Sequence, residues 1–282
     1  MEYDKKMLLG KFATFLSKEI TYHKFIEEDV ILQMIEVFNV DNEFIEYPNN
    51  NLEAITIVLN FYKNYNPEYY KIIVKDIDEK KIIISDKVES YVDTKTGIAY
   101  IKINHNDSDI FSLVHEFAHY IDRNCKIIPD KYWILAEAFA FYMEKQLEKQ
   151  LEISNEYDNV IRIRRNNRIY MEKKMLQIVK DELYYENLYK QLNRIELQDI
   201  DEKSVMRILK VGENNLINYL VQYPIANIVS SWLINFYPNV NEKNFCELSF
   251  ECNLREFLNN YVSLCFIRNK KTKFVKNMLE NS

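Results

Sequence analysis

Two histidines one helical turn apart set the chemistry within reach of this chain. In "HEFAH", residues 115–119, His115 and His119 share a helix face, about 6 Å apart along the axis at 1.5 Å per residue. Imidazoles so placed can chelate one Zn2+ ion. Glu116, adjacent to His115, then points beside the ion rather than at it. Its carboxylate can take a proton from an attacking water and later hand one to a leaving amine. HExxH also arises by chance on charged helices, but the chain holds only four histidines and two of them make this pair. The flanking positions Ile110, Leu113, Val114, Phe117, Ala118 and Ile121 are apolar, so the imidazoles are partly buried and need a partner.

A third donor stands downstream. In "WILAEAFAFYM", residues 133–143, apolar side chains cover nearly every face, which marks a buried helix, and Glu137 is its one carboxylate. An ionised carboxylate buried without a partner costs several kcal/mol or shifts its pKa until it is neutral. Alone, Glu137 reads as a buried ion pair or a protonated core acid. With HEFAH upstream, ligation is the better reading, because a metal removes the burial penalty. Two His and one Glu leave a fourth position open, as catalytic rather than structural zinc sites do. Asp122 and Asp130 compete for the third place, and Asp122 could instead orient a ligand histidine. His23 and His105 could ligate only by accident of folding, and His105, in "INHND", is expected at the rim of the site.

Hydrolysis at such a site also needs a hydrogen-bond donor for the oxyanion formed when water attacks a carbonyl. "INYLVQYPIANIVSSWL" (217–233) reads as a helix with Tyr219 and Tyr223 one turn apart, so their hydroxyls can point to one place. With 21 tyrosines in the chain, core packing is the plainer reading of that pair.

The elements that must position these groups follow from periodicity. Up to about residue 65 the apolar positions of "MLLGKFATFL", "VILQMIEVF" and "LEAITIVLNFY" have helical spacing. Three runs rich in Ile, Val and Tyr then read as strands: "YYKIIVKDI" (69–77), "KKIIISD" (80–86) and "GIAYIKI" (97–103). "NDSD" (106–109) offers N-caps for a helix that starts near residue 108 and runs into the low 120s. Pro129 and Asp130 begin the next helix. The rest reads as helical, with breaks near Asp199 to Asp201, at "YPNVNEK" (237–243) and before the charged tail. Three Gly and five Pro against 16 Phe and 21 Tyr also argue for long helices. The expected fold is mainly α with a small antiparallel β-sheet (α+β), in one catalytic domain spanning 1–282. Its parts are N-terminal helices (1–65), a small sheet (66–105), zinc-site helices (106–150) and a helical part completing the cleft (151–282).

Composition excludes some classes. A net charge of −6 over 282 residues gives no general case for nucleic acid, and the basic clusters "RIRRNNR" (162–168) and "RNKKTKFVK" (268–276) read as solvated surface. Cys125, Cys246, Cys252 and Cys265 form no CxxC pair and suggest reduced thiols in a cytoplasmic protein. The N-terminus reads as an amphipathic helix rather than a signal peptide, and no apolar run reaches membrane-spanning length.

"DSDIFSLVHEFAHYID" resembles the zinc segment of the oligoendopeptidase F and thimet oligopeptidase family, and "ILAEAFAFYME" resembles that family's downstream helix. "NYLVQYPIA" resembles its tyrosine-rich stretch, and the three pieces keep the family's order over roughly 106–233. The resemblance implies a gluzincin-type, zincin-like metallopeptidase holding one Zn2+ per chain and taking peptide substrates. Carried over by position, it implies His115, His119 and Glu137 as metal ligands, Glu116 as general base and Tyr223 as oxyanion donor with Tyr219 nearby. It also implies that "GIAYIKI" is a strand along which a peptide could lie by β-addition. The chain departs from the family in having Ala118 in place of the Gly of HExGH, a shorter gap to the third ligand and about half the usual length. The shorter gap is also similar to that of gluzincin aminopeptidases, which act as exopeptidases. A non-catalytic peptide-binding protein retaining the fold is the rival from another class, and the intact Glu116 speaks against it.

Overall fold

A computed structural model describes residues 41–49, 53–128, 133–191 and 216–236, together with residues 32, 34, 35 and 203. Over these residues the protein is mainly helical with one three-stranded sheet. Helices α1 (Ala54–Tyr65) and α2 (Pro67–Asp78) precede strands β1 (Ile82–Ser85), β2 (Tyr91–Val92) and β3 (Ala99–Lys102). HEFAH lies on α3 (Asp109–Cys125), and Glu137 lies on α4 (Trp133–Leu151). A short 3-10 turn, Glu152–Ser154, leads to the long α5 (Asp158–Gln191), and α6 (Leu216–Phe236) carries the tyrosine pair. None of the described helices is long and apolar enough to cross a membrane.

α4 is the central element. It packs on α3 on one side and on α6 on another, while α5 packs on α6 and α1 backs α3. A helix covered from several directions must be apolar nearly all round, and Leu135, Ala138, Phe139, Ala140 and Met143 are wholly buried. α3 has one buried face, including Val114, Phe117, Ala118 and Ile121. Tyr62 of α1 is wholly buried and donates its hydroxyl to the Val114 carbonyl at 2.9 Å, one residue before His115. Tyr120 in turn donates to Asp76 of α2 at 2.9 Å.

The expected helix near 108 begins at Asp109, through a tighter device than a simple cap. Asp109 turns its carboxylate back to accept from Asn104 N at 2.7 Å and Asn106 N at 3.3 Å, while the Asn106 side chain accepts from Ser108 N at 2.9 Å. These bonds satisfy backbone donors in and just before the first turn. The other end closes on Lys126 in the left-handed region, φ 52°, with Asp122 accepting from Ile128 N at 2.7 Å.

Four expectations need correction. "YYKIIVKDI" is not a strand but most of α2. Asn66 accepts from Glu68 N at 3.0 Å with Pro67 in the first turn, and this helix start outweighs the β-propensity of the isoleucines. Tyr69, Ile73 and Asp76 then form one buried helical face. The sheet is mixed rather than antiparallel, in the order β1-β3-β2: β1 runs parallel to β3 with Ile82 opposite Ala99, and β2 runs antiparallel with Tyr91 opposite Tyr100. β3 is therefore the central strand. With β1 and β2 already beside it, the strand expected to accept a peptide by β-addition cannot do so over Ala99 and Tyr100.

The fourth correction concerns "RIRRNNR". Instead of a solvated surface it forms part of α5 whose Arg164, Arg165 and Arg168 reach acidic side chains of α4 or the turn that follows it. Its asparagines hold segment 41–49, which has no regular secondary structure. The Asn167 amide brackets the Ile45 peptide unit, accepting from Ile45 N at 2.8 Å and donating to Ile45 O at 2.6 Å, and Asn166 donates to Glu43 O at 2.7 Å.

Of the remaining expectations, "LEAITIVLNFY" is borne out by α1 and residues 32, 34 and 35 are helical. "MLLGKFATFL", the rest of "VILQMIEVF", Pro129, Asp130, the breaks near 199–201 and 237–243, and the basic tail lie outside the described residues.

Candidate metal centre

α3 and α4 pack side by side, and that packing brings three donor atoms to one point. His115 Nε2 and His119 Nε2 are 3.1 Å apart, and Glu137 Oε2 lies 3.4 Å from the first and 3.5 Å from the second. A tetrahedral shell with bonds of ~2.0–2.2 Å has edges of about 3.3–3.6 Å, so the triangle has the size of one face of a zinc shell. Among the described residues this is the one group of three or more metal-capable side chains brought together.

The electrostatics of the triangle point the same way. Glu137 is 17% exposed and Oε2 has no hydrogen-bond partner, its contacts to the two rings being long and ionic. Two ring nitrogens and a carboxylate oxygen meet here, and each of them that carries no hydrogen aims a lone pair at the same small volume. Burial opposes the charge on Glu137, yet the two histidines hold its carboxyl far below the usual range. Burial likewise opposes charge on His115, but its contacts to Glu137 and Glu144 raise it to about 10. Orphaned oxygen, donor types and donor spacing all fit a divalent metal with nitrogen and oxygen ligands.

The tyrosines meet as the sequence suggests. Tyr223 donates its hydroxyl to Tyr219 at 3.3 Å, the rings lying edge to face with centroids 5.7 Å apart. Burial, the bond to Tyr219 and the negative fields of Glu137 and Glu116 push the Tyr223 hydroxyl far above its ordinary pKa. Tyr219 is 54% exposed.

The competing donors are elsewhere. Asp122 closes the turn after α3, with Oδ1 on Ile128 N, and is not in the triangle. His105 is exposed, with a left-handed backbone at φ 57°, and faces Asp86 at 3.4 Å. His23 and Asp130 lie outside the described residues.

Sequence reasoning missed the group behind His115. Glu144, wholly buried on α4, approaches His115 Nδ1 to 2.8 Å. Its other oxygen accepts from Arg164 Nε at 3.0 Å and from the terminal nitrogens of Arg164 and Arg168. Burial opposes its charge, and the two guanidiniums and His115 hold it ionised. Between the two glutamates, Phe141 meets the His115 ring edge to face at 5.3 Å, and the Arg168 guanidinium lies 5.0 Å above Phe141. The signal was present: Glu137, Phe141 and Glu144 fall at helical spacing on one face of α4. No known protein family, curated protein or solved structure matches this chain.

Proposed function

We propose that the protein is a zinc-dependent metallopeptidase with a zincin-like core, hydrolysing oligopeptides or unstructured chains, most simply as an endopeptidase. The observation that carries this reading is the convergence of His115 and His119, on the helix that also bears Glu116, with Glu137 of α4 and its orphaned oxygen. The three side chains would hold one Zn2+ per chain. When bound, the ion supplies Lewis acidity, polarising a carbonyl and lowering the pKa of water.

The chain's own residues account for the other requirements of peptide hydrolysis. Glu116, on the turn between the two histidines, accepts a proton from the attacking water on its carboxylate and delivers one to the leaving amine. Tyr223 stays protonated well past neutral pH, so its O–H can donate to the scissile carbonyl oxygen as negative charge builds there. The buried residues of α4 below the site limit water on that side.

The test is metal content of the purified protein followed by cleavage of a mixed peptide library with and without chelator. One stoichiometric zinc and chelator-sensitive cleavage are expected. Glu116→Gln should keep the zinc and lose on the order of 10²–10⁴-fold or more in kcat. Full activity of that variant would overturn the mechanism, and stoichiometric zinc without cleavage of any peptide would favour a binding role instead.

A further inference from the structure

The charged cluster behind the metal centre has more structure than burial requires. Glu144 is wholly buried and Arg168 is 4% exposed, in a region where an apolar trio of similar volume would pack without desolvating charge. Both carboxylate oxygens of Glu144 are directed. One carboxylate oxygen of Glu144 faces His115 Nδ1 at 2.8 Å, while the other is held by guanidiniums from two successive turns of α5. An ionised carboxylate only accepts, so the Nδ1 of His115 must carry a hydrogen, and Nε2 is the ring nitrogen turned toward His119 and Glu137.

We propose that Glu144 is the positioning residue of this centre, and that Arg164 and Arg168 serve it by fixing the carboxylate in the one orientation that aims His115 Nε2 at the metal. The inference rests on the zinc reading above and adds to it a chain of three helices. α5 fixes α4 at Glu144, and α4 fixes the ring on α3. Phe141 limits ring rotation by its edge-to-face contact with His115, and the Arg168 guanidinium above Phe141 ties that contact to the same cluster. Glu144 touches neither substrate nor ion, so its effect is on how strongly and in what geometry the ion is held.

The experiment compares wild type, Glu144→Gln and Glu144→Asp in the full chain. Zinc affinity is measured by chelator competition, the visible absorption of the Co2+-substituted protein reports ligand geometry, and thermal melting is recorded without metal. Glu144→Asp keeps the charge that neutralises the arginines but shortens the reach to His115, which separates positioning from folding. We expect zinc to bind ~10–100-fold more weakly in both variants, with an altered Co2+ spectrum. We also expect the metal-free melting temperature of Glu144→Asp to stay near wild type. If Glu144→Gln does not fold, Glu144→Asp alone carries the test. Wild-type zinc affinity and Co2+ spectrum in a folded Glu144→Asp would overturn the proposal even if melting shifts, because a purely structural role predicts that pattern. The underlying zinc reading fails separately, if the wild type takes up no zinc at all.

Discussion

Two glutamates of α4, seven residues apart, meet the cost of leaving water in opposite ways. Glu144 is saturated by side chains, with His115 on one oxygen and Arg164 and Arg168 on the other. Glu137 faces two imidazoles at 3.4 and 3.5 Å and keeps an oxygen without a hydrogen bond. Arg164 and Arg168 are both spent on Glu144, and Arg165 on Glu148 and Glu152. A carboxylate neutralised from within is part of the scaffold, whereas one left partly unmet beside two lone pairs is complementary to something the chain does not encode. The contrast is the physical basis for reading Glu137 as a ligand and Glu144 as its support.

Removing each carboxylate in turn should break that contrast most sharply. Glu144→Leu strands two arginines, one of them almost fully buried, and should cost ~3–5 kcal/mol of metal-free stability by urea unfolding. Glu137→Leu in the same assay should cost clearly less, because it strands no guanidinium and His115 keeps Glu144 as its acceptor. Equal losses would erase the distinction. In zinc binding the order reverses in kind. Glu137→Ala removes one donor from a site whose ion is worth ~10–16 kcal/mol in comparable structural cases, and should lose roughly 3 kcal/mol or more by chelator competition. Unchanged zinc content would return the third place to Asp130 or another donor.

Tyr223→Phe deletes a donor without touching the triangle and should lower kcat by about 10²-fold with zinc content unchanged. pH gives a milder handle. His115 binds its proton more tightly in the folded state, through Glu137 and Glu144 acting against burial, so its stabilising contribution is complete below about pH 6.5. In the metal-free protein that contribution is lost as pH rises toward about 10. The depressed carboxyls of Glu137 and Glu144 act oppositely, their contribution being lost as pH falls below the ordinary carboxylate range. Zinc competes with the His115 proton, so apparent zinc affinity should rise with pH over the same upper window, as calorimetry at several pH values would show. Tyr219→Phe should have the smallest effect, under about tenfold in kcat, since it supports Tyr223 from an exposed position.

What the sequence made legible was local and periodic. HEFAH, Glu137 and the tyrosine pair each announce themselves by spacing within one helix, and α3 begins beside the turn residues that suggested it. α2 was misread because an Ile-rich stretch satisfies a strand template as well as a helix face, and the deciding signal, Asn66-Pro67-Glu68, sits just outside the run. The sheet order was hidden for a different reason. Placing β3 between β1 and β2 is a choice among pairings that alternation of residue types does not encode. The arginines of α5 were illegible as partners because charge on a helix says nothing about which neighbour will bury it. The bracket between Asn167 and Ile45 joins residues far apart in the chain through main-chain atoms of one partner, which leave no trace in residue identity.

The position of Glu137 on α4 has a kinetic consequence. Both histidines sit inside α3, pinned from behind by the Tyr62 and Tyr120 hydroxyls, whereas Glu137 belongs to α4. An ion held by two arms of one helix and one arm of another would be released in a set order, carboxylate first and imidazoles after, as the two helices part. Its rate of exchange would then report the parting of α3 and α4 rather than the strength of any single bond.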